Sequence, residues 1–376
     1  MSQLARIEQQ IRHGVLPDRE AVAHVAGVES ARLGSDGVAA AREALASEVL
    51  GLGPLEDCLA DPHVTDVLVN GDGSVWVDRG QGVERSAVTL SEPGAARRLA
   101  VRLAGQAARR LDESQPWVDG LLPGGVRLHA VLPPLVEGGA HVSLRVPRVA
   151  GQGLTSLRRS GMFGEEVEEL LRSLVLARLS FVVTGGTGCG KTTLLGSMLA
   201  EVPAHERIVV VEDVRELSVR HPHVVRLQGR GPNVEGRGSV TLADLARQAL
   251  RMRPDRLVVG EVRGPEVREM LAALNTGHEG GCGTLHANAP ADVPARFEAL
   301  GALAGLGREA VYAQLSSALQ AVVHVARDAQ GRRVDSLSVL RPGSHGVTCV
   351  VALDARSGRR GEAWAELADW LGSSLW

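Results

Sequence analysis

The sequence predicts an α/β fold, in which a parallel-sheet domain with crossover helices follows an α+β domain and a short helical appendage. Three observations carry this. Between about residues 161 and 345, short all-apolar runs at 181–184, 208–211 and 257–259 alternate with helical stretches, as when a parallel sheet is covered on both faces. Residues 51–147 instead carry β-prone runs at 64–70, 74–78 and 142–146 around one helical stretch at 92–111. Residues 1–50 alternate polar and apolar positions at helical spacing, with breaks near 14–17 and 34–37.

In chain order, Asn70-Gly71-Asp72-Gly73 is a turn that makes the first two runs a hairpin. Residues 148–160, with two glycines and no clear period, read as a linker. The run 181–184 enters a glycine-rich loop, and 192–200 opens the next helix. A strand at 348–353 and a helix at 361–371 form a carboxyl-terminal extension over 346–376.

Composition bounds the function. With 376 residues, 44% hydrophobic and 23% charged, the chain is long enough for two or three packed domains. The net charge of −3 gives no global pull toward nucleic acid. Cys58, Cys189, Cys282 and Cys349 form no C-x-x-C pair, which fits a reducing cytoplasm. No apolar run approaches the roughly 18 residues a membrane span needs, and the first residues lack a signal-peptide core. The expected location is the cytoplasm.

The 41 basic residues include a single lysine, Lys191. It stands in Gly185-Gly186-Thr187-Gly188-Cys189-Gly190-Lys191-Thr192, followed by Thr193, the G-x-x-x-x-G-K-[ST] pattern of a nucleotide-binding P-loop. Its glycines let backbone N–H groups close around phosphates, and the positive end of the helix points at them. A compact ammonium fits that cradle where a guanidinium fork would collide. Lys191 is expected to reach the β- and γ-phosphates of ATP or GTP, and the Thr192 hydroxyl to hold Mg²⁺.

Three further groups line up behind it. Glu212-Asp213 ends the apolar run 208–211, at the strand edge where open α/β sheets bind ligands. One of the two can activate water, or the pair is a solvated strand end. Glu261 ends the run 257–259 in the manner of a Walker B segment, with Gly260 in the usual aspartate slot. That leaves Glu261 alone to face Mg²⁺ or its water. His278 and His286 lie in a glycine-rich segment at 277–288, where they can sense a γ-phosphate, join Cys282 in a zinc site or be ordinary loop histidines. Arginines 226, 230, 237, 247, 251, 253, 256 and 263 lack interleaved aromatics for stacking bases, so they read as solvated, paired or acting across a subunit boundary.

Together these segments resemble the type II/type IV secretion traffic ATPases. That family orders a P-loop, an aspartate box, a Walker B with Gly-Glu and a histidine box. The counterparts here are Val210-Val211-Glu212-Asp213-Val214-Arg215-Glu216-Leu217, the segment 253–263 and the segment 276–288. Upstream, Gly51-Leu52-Gly53-Pro54-Leu55, the segment 61–71, Leu122-Pro123-Gly124-Gly125-Val126-Arg127 and Ser143-Leu144-Arg145 are similar to the family's N-terminal domain. The resemblance covers about residues 50–345. It is nearest the Tad/Flp pilus-assembly branch, through Arg251-Met252-Arg253-Pro254-Asp255-Arg256, and the four-cysteine zinc module of general type II secretion ATPases is missing.

The resemblance implies a RecA-like P-loop NTPase motor that works as a homo-hexamer with ATP and Mg²⁺. It further implies polytopic inner-membrane platform proteins as partners and a peripheral place on the inner face of the membrane. Arg127 and Arg145 fall where the family supplies phosphate-contacting arginines. Cys189 departs from the commoner serine. Conjugal DNA transfer, a RecA-like nucleic-acid motor and a regulatory nucleotide switch are the alternatives.

Overall fold

Alternation of buried and more accessible positions along three of its strands shapes the first sheet. The computed structural model describes residues 52–80, 82–146, 153–231, 237–328, 330–343 and 346–372, so the helical appendage read over 1–50 lies outside the described residues. The chain divides into two units, Met1–Arg148 and Val149–Trp376. In the first, strands β1 (Asp66–Val69), β2 (Ser74–Asp78), β3 (Val83–Thr89), β4 (Trp117–Leu121), β5 (Arg127–Val131) and β6 (His141–Arg145) form an antiparallel sheet in the order β3-β2-β1-β6-β5-β4. Strands β1, β5 and β6 alternate inward and outward, so one face meets the core and the other is open. The predicted hairpin is present, with Val69 opposite Val75. Gly73 holds φ +81° there, and a Cβ on it would lie 2.2 Å from the Leu90 carbonyl oxygen. The helix Ala95–Gln106 buries Ala96, Leu99, Ala100, Leu103 and Ala104, a single stripe at helical spacing.

The second unit is built on nine strands. These are β7 (Phe181–Thr184), β8 (Ile208–Glu212), β9 (Val224–Gln228), β10 (Arg256–Val262), β11 (Cys282–Leu285), β12 (Ala321–Asp328), β13 (Gly331–Gly343), β14 (Gly346–Asp354) and β15 (Arg359–Arg360). Their order is β15-β14-β13-β12-β7-β11-β10-β8-β9. Strands β9, β8, β10, β11, β7 and β12 pair in parallel, and β13, β14 and β15 continue the sheet antiparallel. Strands β7 and β8 are buried at every position, and β10 at every position but Glu261, which is why 181–184, 208–211 and 257–259 read as apolar runs.

Two stretches differ from their sequence reading. Within the predicted linker, Leu154–Arg159 is a helix whose Leu154 and Leu157 enter the second unit's core. Three-residue spacing puts both on one face, a signal too short to show as a period. In the region read as an extension, β14 pairs along β13, and Leu353, Ala363, Leu367 and Leu371 join the same core. At roughly 1.5–3 kcal/mol for each large apolar side chain buried, those contacts tie the segment into the sheet.

Candidate active site

The carboxyl ends of β7, β11, β10 and β8 lie side by side, the place where open parallel sheets bind ligands. After Thr184 the backbone turns through Gly185 (φ +145°), Gly188 (φ +71°) and Gly190 (φ +99°) into the helix Lys191–Leu199. A Cβ on Gly185 would lie 2.2 Å from the Val325 carbonyl oxygen and 2.8 Å from Cys189 Sγ, so only glycine fits. Cys189 is buried, and its Sγ donates to the Gly186 carbonyl at 2.9 Å. Lys191 Nζ donates to the carbonyls of Gly185 (3.1 Å) and Gly186 (2.8 Å) and lies 3.4 Å from His286 Nδ1. Burial pushes its pKa down, opposed by Cys189, Glu261 and Glu216. Thr192 and Thr193 complete the first helical turn, and the Thr193 carbonyl accepts the Ser197 hydroxyl at 2.9 Å.

From β10, Glu261 Oε1 lies 2.8 Å from Nε2 of His286, which directly follows β11. Burial lowers the His286 pKa and the Lys191 charge lowers it further, while Glu261 pulls it back. A neutral imidazole satisfies both neighbours at once: Nδ1 accepts from Lys191 and Nε2–H donates to Glu261. The Arg296 Nε holds the His286 carbonyl at 3.0 Å. Thus one ring links the P-loop lysine to the Walker B-like glutamate.

The adjacent acids Glu212 and Asp213 diverge. Glu212 is buried, and its Oε1 accepts the backbone N–H groups of Leu217 (2.8 Å) and Glu216 (3.1 Å). Burial raises its pKa against those two bonds. A Cβ on Gly260 would lie 2.5 Å from Glu212 Cγ. The missing Walker B aspartate therefore has a steric cause, because the neighbouring strand's glutamate fills its space. Asp213 instead pairs with Arg263.

Other predicted residues lie elsewhere. His278 precedes β11, whereas His286 follows it, so a whole strand of about 3.3 Å per residue separates them. His278 Nδ1 lies 3.2 Å from the Ala273 carbonyl, near the end of the helix Val267–Leu274. Arg127 and Arg145 belong to the first unit, where they are register partners on β5 and β6, and Arg145 Nε donates to Asp66 Oδ1 at 3.1 Å. Among the arginines between 226 and 263, Arg247 pairs with Asp244 and Glu269, Arg256 with Glu206 and Arg263 with Asp213. The sequence reading missed Arg332 on β13, whose Nε donates to the Gly188 carbonyl at 2.9 Å. Nothing local marks it, since 144 residues separate the two.

The loop suits a triphosphate, with its glycine cradle, one buried ammonium and a helix start. Among the described residues no group of three or more His, Cys, Asp or Glu could hold a metal by itself. Thr192 and Glu261 would hold Mg²⁺ only together with phosphate oxygens, its usual habit. No described helix is long and apolar enough to cross a membrane.

The sequence pattern of the type II/IV secretion system protein family matches residues 48–361. The chain belongs to this family. A putative conjugal transfer protein of Mycobacterium tuberculosis (strain H37Rv) is 53% identical over 340 residues, 89% of this chain and 97% of that protein. The conjugal transfer protein TrbB of Rhizobium radiobacter is 33% identical over 282 residues, 73% of this chain and 83% of that one. Among solved structures, the pilus retraction motor PilT with bound ADP is similar at a TM-score of 0.55 and 22% identity, covering 77% of this chain and 82% of that chain. That likeness shows the fold, RecA-like with a preceding domain, as the sequence predicts. In this secretion-family chain the four motif segments occupy 185–192, 210–217, 253–263 and 276–288.

Proposed function

We propose that this chain is an ATP-hydrolysing motor, working as a homo-hexameric ring on the cytoplasmic side of a type II/IV secretion-class machine. Its partners are polytopic inner-membrane platform proteins. The observation that carries the reading is the contact chain Lys191–His286–Glu261, which joins the P-loop to an acid at hydrogen-bonding distances. Lys191 binds the β- and γ-phosphates of ATP. Thr192, with Glu261 acting through a water, would hold Mg²⁺, which would supply charge neutralisation at the phosphates. Glu261 takes the proton of the attacking water, while the neutral His286 orients its carboxylate. Of the two candidate bases, Glu261 is favoured because its side chain is 41% exposed, whereas Glu212 Oε1 is committed to two backbone N–H groups. Arg127 and Arg145 serve as charge stabilisers for phosphate, worth several kcal/mol in a transition state.

The work driven is assembly of a Tad/Flp-type pilus or export through the platform. The conjugal DNA-transfer reading gains weight from the similarity to the M. tuberculosis and R. radiobacter conjugal transfer proteins. Phosphate release by the purified chain with Mg-ATP tests the core claim. Wild type should turn over and Lys191→Ala should not, while an oligomeric wild type that released no phosphate would sink the reading. Deleting the gene and scoring piliation beside plasmid transfer separates the two cargoes.

A further inference from the structure

His324 stands in the apolar run Ala321-Val322-Val323-His324-Val325 of β12, and it is 5% exposed. An imidazole buried among aliphatic neighbours is costly unless its polar atoms are bonded. Here its Nδ1 lies 2.9 Å from Thr184 Oγ1, and the ring also hydrogen-bonds the backbone of Asn288. A neutral imidazole has one N–H and one lone pair. With the Asn288 carbonyl taking the N–H, Nδ1 accepts the Thr184 hydroxyl proton.

Both partners are placed tellingly. Thr184 is the last residue of β7, immediately before Gly185 of the P-loop. Asn288 lies two residues beyond His286. The ring therefore ties the root of the P-loop to the loop that carries His286. A second observation bears on the same spot: the β12–β13 register slips between His324 and Val325. Bulges beside active sites re-aim side chains, and this one accompanies the close approach of the Val325 carbonyl to Gly185.

Resting on the ATPase reading, we propose that His324 is a positioning residue for hydrolysis. Its neutral ring locks the loop 286–288 to the P-loop strand, so that His286 stays in register with Lys191 and Glu261. Two struts then join the same pair of segments, Lys191–His286–Glu261 at the site and Thr184–His324–Asn288 behind it. Burial holds the His324 pKa below its ordinary value; Asp335 from β13 and Asp292 from the turn Pro290–Asp292 pull it up, and Lys191 pushes it down. Protonation converts Nδ1 from acceptor to donor and breaks the present arrangement, so the strut weakens as pH falls.

The test uses the full chain with Mg-ATP and the variants His324→Asn and Thr184→Val, singly and together. Thr184→Val removes one hydroxyl at nearly constant shape and keeps the test alive should His324→Asn fold poorly. Each single change should lower kcat about tenfold, the effect of one lost buried hydrogen bond, with KM within about twofold. The double variant should be no worse than the worse single one, because both break one contact. The kcat deficit of His324→Asn relative to wild type should shrink only as pH falls below the ordinary histidine value of about 6.5, as wild type loses the same strut. A single variant with kcat within about twofold of wild type, or a double variant whose losses multiply, would overturn the proposal. A wild-type chain that does not hydrolyse ATP takes down the ATPase reading and this inference with it, whereas active wild type with unaffected variants refutes the inference alone.

Discussion

The two edges of the nine-stranded sheet treat buried charge in opposite ways. At the amino edge, Arg256 and Glu206 are 1% and 5% exposed, and they satisfy each other at 2.6 Å. Arg256 also donates to the carbonyls of Val175 (3.0 Å) and Gly280 (3.4 Å), and Arg178 adds a second guanidinium to Glu206 at 3.0 Å. At the carboxyl edge, buried Lys191 and Glu212 bond chiefly to backbone groups, and burial pushes both toward their neutral forms. One edge has neutralised its charge within the fold. The other holds charge that a phosphate or a metal can still neutralise.

Breaking the carboxyl edge should therefore cost activity rather than stability. Glu261→Gln keeps the contact to His286 but cannot take a proton. We expect kcat to fall by about 10²–10⁴-fold, the worth of a positioned general base, with nucleotide affinity retained. Phosphate-release kinetics beside binding of a non-hydrolysable ATP analogue check this, and an unchanged kcat would reassign the base.

Breaking the amino edge should do the reverse. Arg256→Met strands Glu206 with only the half-exposed Arg178, and removing one partner of a buried pair costs about 3–5 kcal/mol. The expected readout is a large drop in Tm or in the denaturant midpoint. Adding Glu206→Met should recover much of that loss, since apolar replacement of both partners is often close to neutral. A double variant as unstable as the single one would show that the pair is not acting as a unit.

Glu212 lies between these extremes. Its folded pKa is raised, so its contribution to stability is full below the unfolded value and is lost as pH rises through the folded value. Glutamine keeps the acceptor for Glu216 and Leu217 and abolishes the titration. The Tm of Glu212→Gln minus that of wild type should thus grow more positive from pH 5 to pH 8, by a few degrees at roughly 2–4 °C per kcal/mol. Thermal unfolding across that range would refute it if the difference stayed flat.

Much of the carboxyl edge was legible in the sequence because its signals are local. The strand Phe181–Thr184 and its glycine loop occupy one contiguous stretch, and their residue types follow from burial on both faces and from close backbone approach. The empty aspartate slot at Gly260 was visible, but its cause was not, because Glu212 comes from another strand. Arg332 and His324 were illegible for the same reason. Each acts across more than a hundred residues of sequence, and a histidine inside an apolar strand looks like any core position. The pairing of Arg256 with Glu206 also spans 50 residues of sequence, so the arginine cluster could not be sorted from sequence alone.

The histidines give the finest version of the comparison. Sequence spacing put His278 and His286 in one glycine-rich segment, yet β11 carries them to opposite edges of the sheet. His286 meets Lys191 and Glu261, while His278 meets the Ala273 carbonyl at a helix end. His278→Ala should then cost no more than about 0.5–1.5 kcal/mol of stability, one ordinary hydrogen bond, and leave kcat within about twofold. His286→Ala removes the ring that orients Glu261 and should lower kcat by at least about tenfold with little change in Tm. Equal losses of kcat from the two variants would mean that the amino edge also takes part in hydrolysis. The division of labour between the edges would then be wrong, since a histidine bonded to a helix-end carbonyl has no physical route to the phosphate within its own subunit.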